Sequence, residues 1–188
     1  MKSRTYLLSV APLVALAVLG LGAGAPPPVA TALVSGQVFL NGQAVSAPSL
    51  SLSGGDRIVT GPKGGAILTV SAQDGLVIGE SSAVTVLERA GGVTAELERG
   101  RVLVRSSHQR LRELRLAGEA VSIRASPGTL RRYQVTRLPD GTYVLARTGN
   151  IRIYDEGYAT ETEVPEGRAG LVQPEVATLE PSPRSGCL

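Results

Sequence analysis

Residues 53–77, SGGDRIVTGPKGGAILTVSAQDGLV, constrain the fold more than any other stretch. Three turn signals follow one another closely: Gly54-Gly55-Asp56, Gly61-Pro62-Lys63-Gly64-Gly65 and Asp74-Gly75. Short β-rich runs at 57–60 and 66–70 lie between them, and a third begins at Leu76. A chain that reverses this often cannot be helical, so the stretch predicts a compact antiparallel β unit.

The rest of the chain extends the same pattern. Asn41-Gly42 offers the two positive-φ residues of a type I′ hairpin between runs 33–40 and 43–45. Gly91-Gly92, Gly100 and Gly149-Asn150 read as further turns, and Pro139-Asp140-Gly141 as a hairpin. In 101–105, RVLVR, the polar/apolar alternation is weak, and 111–116, LRELRL, fits a helical turn or a strand equally well. Aromatics are only 3% of the chain and Trp is absent, so the core must come from Val, Leu, Ile and Ala. The expectation is all-β: a single antiparallel rolled sandwich or meander of about ten to twelve short strands. No fixed-period repeat supports a solenoid.

Three segments follow. Lys2 and Arg4 precede an apolar run at 6–22, so residues 1–32 read as a signal peptide or an uncleaved N-terminal anchor in the inner membrane. The expected cut follows Ala30-Thr31-Ala32, before Leu33. No Cys stands at the end of the apolar run, which argues against a lipid-modified anchor. Residues 33–172 form the β domain. Residues 173–188, rich in Pro and Glu, are expected to be a disordered tail. The expected location is the periplasm.

The chemistry of the chain argues against an enzyme. Its one cysteine, Cys187, makes no internal disulfide, and together with its one histidine, His108, is too little for an ordinary zinc site. Asp56, Asp74 and Asp140 sit at Gly turns, where Asp accepts backbone N–H bonds. Neither Gly54-Gly55 nor Gly64-Gly65 leads into a phosphate-binding helix. A cell-wall hydrolase would need a carboxylate pair facing one groove, and no such pairing is visible. No catalytic residue, metal ligand or cofactor is therefore expected.

The charge distribution offers more. Nine arginines fall between 101 and 137, opposed there only by Glu113 and Glu119. Alternate residues of a strand share a face, so Arg101, Arg105, Arg112, Arg115, Arg124, Arg131 and Arg132 are the candidate binding residues of one basic patch. The competing reading is a solvated face partly neutralised by the acidic tail. Expected partners are an envelope protein, a glycan, an anionic polymer or a lipid head group. Nucleic acid is not expected, since few aromatics are present to stack bases.

Gly36-x-Val38, then Leu52-x-x-Gly55-Asp56-x-Ile58-x-Thr60-Gly61-x-x-Gly64-x-Ala66-x-Leu68, then Asp74-Gly75-x-Val77, resemble the FecR domain. Leu97-x-x-Gly100-x-Val102, Val121-x-Ile123 with Gly128-Thr129, and residues 149–153 resemble its later parts. The resemblance implies a periplasmic all-β module. In the best-known members that module follows a membrane helix and a cytoplasmic anti-sigma segment, and relays a signal from a TonB-dependent siderophore receptor. Here only five residues precede the apolar run, so a sigma-binding segment is not expected. Ala125-Ser126-Pro127 near Gly128, with Arg131-Arg132 close behind, also departs from the family pattern. The chain looks like a stand-alone exported FecR-domain protein. The expected function is a non-catalytic envelope module that binds a protein or glycan in sensing or signal relay. The alternative is a structural envelope protein with a basic surface for anionic polymer or lipid.

Overall fold

The computed structural model describes residues 28–126, 130–157 and 159–173. The leader's apolar run, the Pro127-Gly128 turn and the tail from Pro174, Cys187 included, lie outside the described residues. Sixteen strands, and no helix, make up the described chain. In order they are β1 (Ala30–Ser35), β2 (Val38–Leu40), β3 (Gln43–Ala44), β4 (Ser49–Leu52), β5 (Arg57–Thr60), β6 (Gly65–Thr69), β7 (Gly75–Ile78) and β8 (Ala83–Arg89). Then come β9 (Gly92–Ser106), β10 (Leu111–Leu116), β11 (Val121–Ala125), β12 (Arg131–Leu138), β13 (Gly141–Thr148), β14 (Ile151–Asp155), β15 (Thr160–Val164) and β16 (Ala169–Val172).

The strands form two layers that share β9. The first sheet has the order β4-β1-β6-β7-β9-β12-β13-β16. The second has the order β3-β2-β5-β8-β9-β10-β11-β14-β15. The inner faces bury one continuous aliphatic cluster in which Tyr133 is the single aromatic. Its hydroxyl donates from the first sheet to the Ile123 carbonyl in the second, at 3.5 Å. Arg137 ties the layers further, donating to the carbonyls of Leu97 and Ala117 and pairing with Glu119.

Two expectations change at glycines. The 33–40 run is not one strand. Gly36 (φ +67) breaks it, and the chain leaves the first sheet for the second. A side chain at Gly36 would strike the Lys63 carbonyl, so only glycine allows that corner. Gly100 is not a turn but a bend inside the long strand β9. Residues 92–99 of β9 pair in the second sheet and 100–106 in the first. Gly100 has φ +89 and packs against Ser82, whose hydroxyl accepts the Arg101 N–H at 2.9 Å.

β10 is a strand, and it runs parallel to β9 in an otherwise antiparallel architecture. The second half of β9 supplies the crossover that a parallel pair requires. Loop 107–110 then returns the chain to the second sheet, and Asp74 holds that loop. Its carboxylate accepts from Ser107 N (2.6 Å), Ser107 Oγ (2.9 Å), Arg110 N (2.7 Å) and Leu111 N (3.3 Å). Burial opposes its ionisation, but the N–H and O–H donors prevail and hold the carboxyl below the ordinary aspartate range. So Asp74 is more than a local turn residue, whereas Asp56 fits that role, accepting from Ser53 N and Asn41 Nδ2.

The domain begins ahead of the expected boundary at Leu33. Val29, Ala30 and Ala32 are buried, and Ala30 pairs with Leu52 on β4. β15, TETEV, carries two glutamates and closes one edge of the second sheet. It is an exposed edge strand in which alternating Thr and Glu suit a solvated rim.

Candidate functional face

The inward residues of the first sheet fill the core, so its outward residues are fixed by register. They form three rows across the strands. The middle row runs Leu33, Ile67, Val77, Leu103, Gln134, Leu145, each opposite the next. Leu33, Ile67 and Val77 are 59, 50 and 43% exposed, values for large aliphatics that would be core residues if this face were covered. One flanking row runs Thr31, Thr69, Gly75, Arg105, Arg132, Thr148. The other carries Arg101, Thr136, Tyr143 and Leu171.

Gly75 leaves a gap between Thr69 and Arg105. A side chain there would collide with the Leu68 carbonyl, so backbone crowding keeps the position empty. The result is a groove of about 250 Å³ walled by Ile67, Val77 and Leu103 and rimmed by Arg105 and Arg132. These two arginines stand directly opposite each other across β9 and β12. Like charges in that arrangement repel. Arg105 donates to the Ala72 carbonyl at 3.2 Å and Arg147, also outward on this face, to Gln134 at 2.8 Å. No strand residue facing outward here is Asp or Glu, and among the described residues none of Arg101, Arg105, Arg132 and Arg147 has a carboxylate partner.

The second sheet is organised differently. On its outer face Arg57 pairs with Glu98 (2.6 Å), Arg115 with Glu156 (2.8 Å), Arg124 with Glu113 (2.8 Å) and Arg152 with Glu161 (3.2 Å). Hydrogen bonding to Arg57 holds the Glu98 carboxyl below its ordinary range despite some desolvation. Arg124 also lies 4.6 Å from the centre of the Tyr154 ring. A cleft of about 310 Å³ opens here beside His108, Arg112, Arg124 and Arg152. Among the described residues, nothing hydrogen-bonds to the buried His108 Nδ1 or Arg152 Nε. Arg112 donates to the carbonyls of Gly91 (2.9 Å) and His108 (3.1 Å). Its neighbours Arg124 and Arg152 are already matched to carboxylates.

The seven candidate arginines therefore do not form one patch. Arg101, Arg105 and Arg132 share the outer face of the first sheet. Arg112, Arg115 and Arg124 lie on the outer face of the second. Arg131 is half-buried against Gly149, with its enclosed Nε meeting no hydrogen-bond partner among the described residues. Among the described residues no three His, Cys, Asp or Glu side chains converge on a point where a metal could sit.

The apolar row was not anticipated, yet the chain carries a signal for it. Three runs, 66–68 (AIL), 76–78 (LVI) and 102–104 (VLV), are apolar at every position. A strand with one face in water should alternate instead. Each run places its middle residue on the exposed row.

No family model, curated protein or solved structure matches this chain.

Proposed function

We propose that this protein is a non-catalytic module of the cell envelope that docks a partner through the outer face of its first sheet. One observation carries the reading. A register-aligned row of exposed aliphatics crosses a face that bears four arginines and no outward carboxylate on its strands. Contiguous apolar surface of this kind marks interaction sites in soluble proteins. The positive rim selects partners that carry negative charge around an apolar centre.

The FecR resemblance of residues 53–77 supports an exported module acting in sensing or signal relay, and the apolar leader supports export. A glycan partner is the weaker option, because sugar rings stack on aromatics and Tyr143 is the only aromatic among the outward strand residues of this face. The alternative role, a structural protein resting on anionic polymer or lipid, would use the same face. A hydrolase finds no support in the groove, which is lined by no carboxylate.

The test is site-specific photo-crosslinking in cells that export the protein. A photoreactive residue at Val77 should yield an adduct that the same residue at Thr162, on the second sheet, does not. The double variant R105E/R132E should abolish it. Equal adducts from both positions, or none from Val77, would overturn the docking face.

A further inference from the structure

We infer that the groove over Gly75 accepts a single-chain anionic amphiphile, with the acyl chain along Ile67, Val77 and Leu103 and the carboxylate between Arg105 and Arg132. The inference rests on the docking face proposed above and names the chemistry of its ligand.

Three features favour this occupant. First, the groove is apolar along its walls and cationic at one end, matching a molecule with one tail and one charged head. Second, Arg105 and Arg132 face each other across a strand pair, with side-chain roots about 5 Å apart. Two guanidinium groups so placed bracket one carboxylate, each offering paired N–H donors, and the bound anion relieves their repulsion. The outward strand positions of this sheet carry no Asp or Glu, so no carboxylate on its strands competes for the pair. Third, the volume of about 250 Å³ falls below the roughly 300–1,000 Å³ of sites that enclose a whole small molecule. A single chain lying partly exposed fits; a two-chain lipid does not.

A second copy of the protein is a poorer occupant. Stacking two such faces would set the arginines of one copy against those of the other. The cleft by His108 on the second sheet is a poorer anion site, since Glu113 and Glu161 already neutralise two of its three arginines.

The experiment follows backbone amide shifts in the purified protein on titration with dodecanoate below its micelle concentration. Acetate serves as the head without the chain and dodecyl maltoside as the chain without the charge. Dodecanoate should shift Thr69, Gly75, Val77, Leu103 and Arg105. Acetate and the maltoside should bind at least tenfold more weakly. R105Q/R132Q should weaken dodecanoate at least tenfold. Q134E keeps both arginines and places a carboxylate between Leu103 and Leu145, and it should weaken binding too. Shifts centred on another surface, full affinity in R105Q/R132Q, or no binding would overturn the inference. If dodecanoate fails while Val77 still crosslinks a protein in cells, the docking face survives with a protein partner. If both fail, the face itself falls.

Discussion

Replacing Asp74 by asparagine tests how the parallel pair β9–β10 is held. Asp74 is fully buried, and its two oxygens accept two hydrogen bonds each, all from residues 107–111. Asparagine keeps one acceptor oxygen and turns the other into a donor. Two of the four donors then face an NH2 group. A buried donor left without an acceptor costs about 1–3 kcal/mol. If Oδ1 becomes the amide nitrogen, the Ser107 hydroxyl can turn away and reduce the sum. The net loss should be about 2–4 kcal/mol, a fall in melting temperature of about 5–15 °C for a domain of this size.

Acid gives the independent check. The folded carboxyl titrates below its unfolded value, so its stabilisation is complete above about pH 4 and disappears as pH falls through the lowered folded value. Urea titrations should show the full gap between wild type and D74N at pH 7. The gap should narrow progressively below about pH 4. Amide exchange at Ser107, Arg110 and Leu111 should quicken in the variant. Equal urea midpoints at pH 7, or a gap unchanged in strong acid, would refute the latch.

Other expectations separate strain from packing. Gly55 has φ +97 with no atom near a would-be side chain, so Gly55→Val should cost about 1 kcal/mol or a little more in chemical denaturation. Gly100→Ala adds a collision with buried Ser82 to the same backbone strain, and should cost at least about 2 kcal/mol beyond that. The Arg57–Glu98 pair is half-exposed, so removing the guanidinium with Arg57→Met should cost under about 1 kcal/mol and less in high salt. Mass spectrometry of any processed form should find the N-terminus at or before Val29. A cut at Ala32–Leu33 would remove three buried residues and most of the β1–β4 pairing.

The fold class was legible because turn chemistry is local. Asn41 and Gly42 both adopt positive φ between β2 and β3, as their dipeptide requires. Pro139 and Asp140 join β12 to β13 with a two-residue turn, as expected. What local signals could not convey is where a glycine bends a strand and where it ends one. Gly36 and Gly100 look like any other turn glycine, and their role depends on Lys63 and Ser82, which approach from distant parts of the chain. The parallel course of β10 was hidden for the same reason, since Asp74 acts across more than thirty residues. The cluster of arginines between 101 and 137 is visible in the sequence as its unusual charge feature. Their division between two faces could not be known without the crossing of β9, which sends Arg101 and Arg105 to one sheet while Arg112 and Arg115 return to the other.

That crossing also explains why the two outer faces differ in kind. β9 contributes Glu96 and Glu98 before the Gly100 bend and Arg101, Leu103 and Arg105 after it. One strand thus supplies acid to the second sheet and base to the first. On the second sheet the acids have arginines to meet, and the face closes into ion pairs that are each worth little. The first sheet receives no carboxylate on its outward strand positions, and among the described residues Leu33, Ile67 and Val77 of its aliphatic row stay exposed. A solvated face would gain nothing from either property: opposed arginines repel, and exposed aliphatics favour aggregation. Both costs are offset if an anionic, partly apolar partner covers the row for part of the protein's life, so the asymmetry across Gly100 points to the first sheet as the working surface.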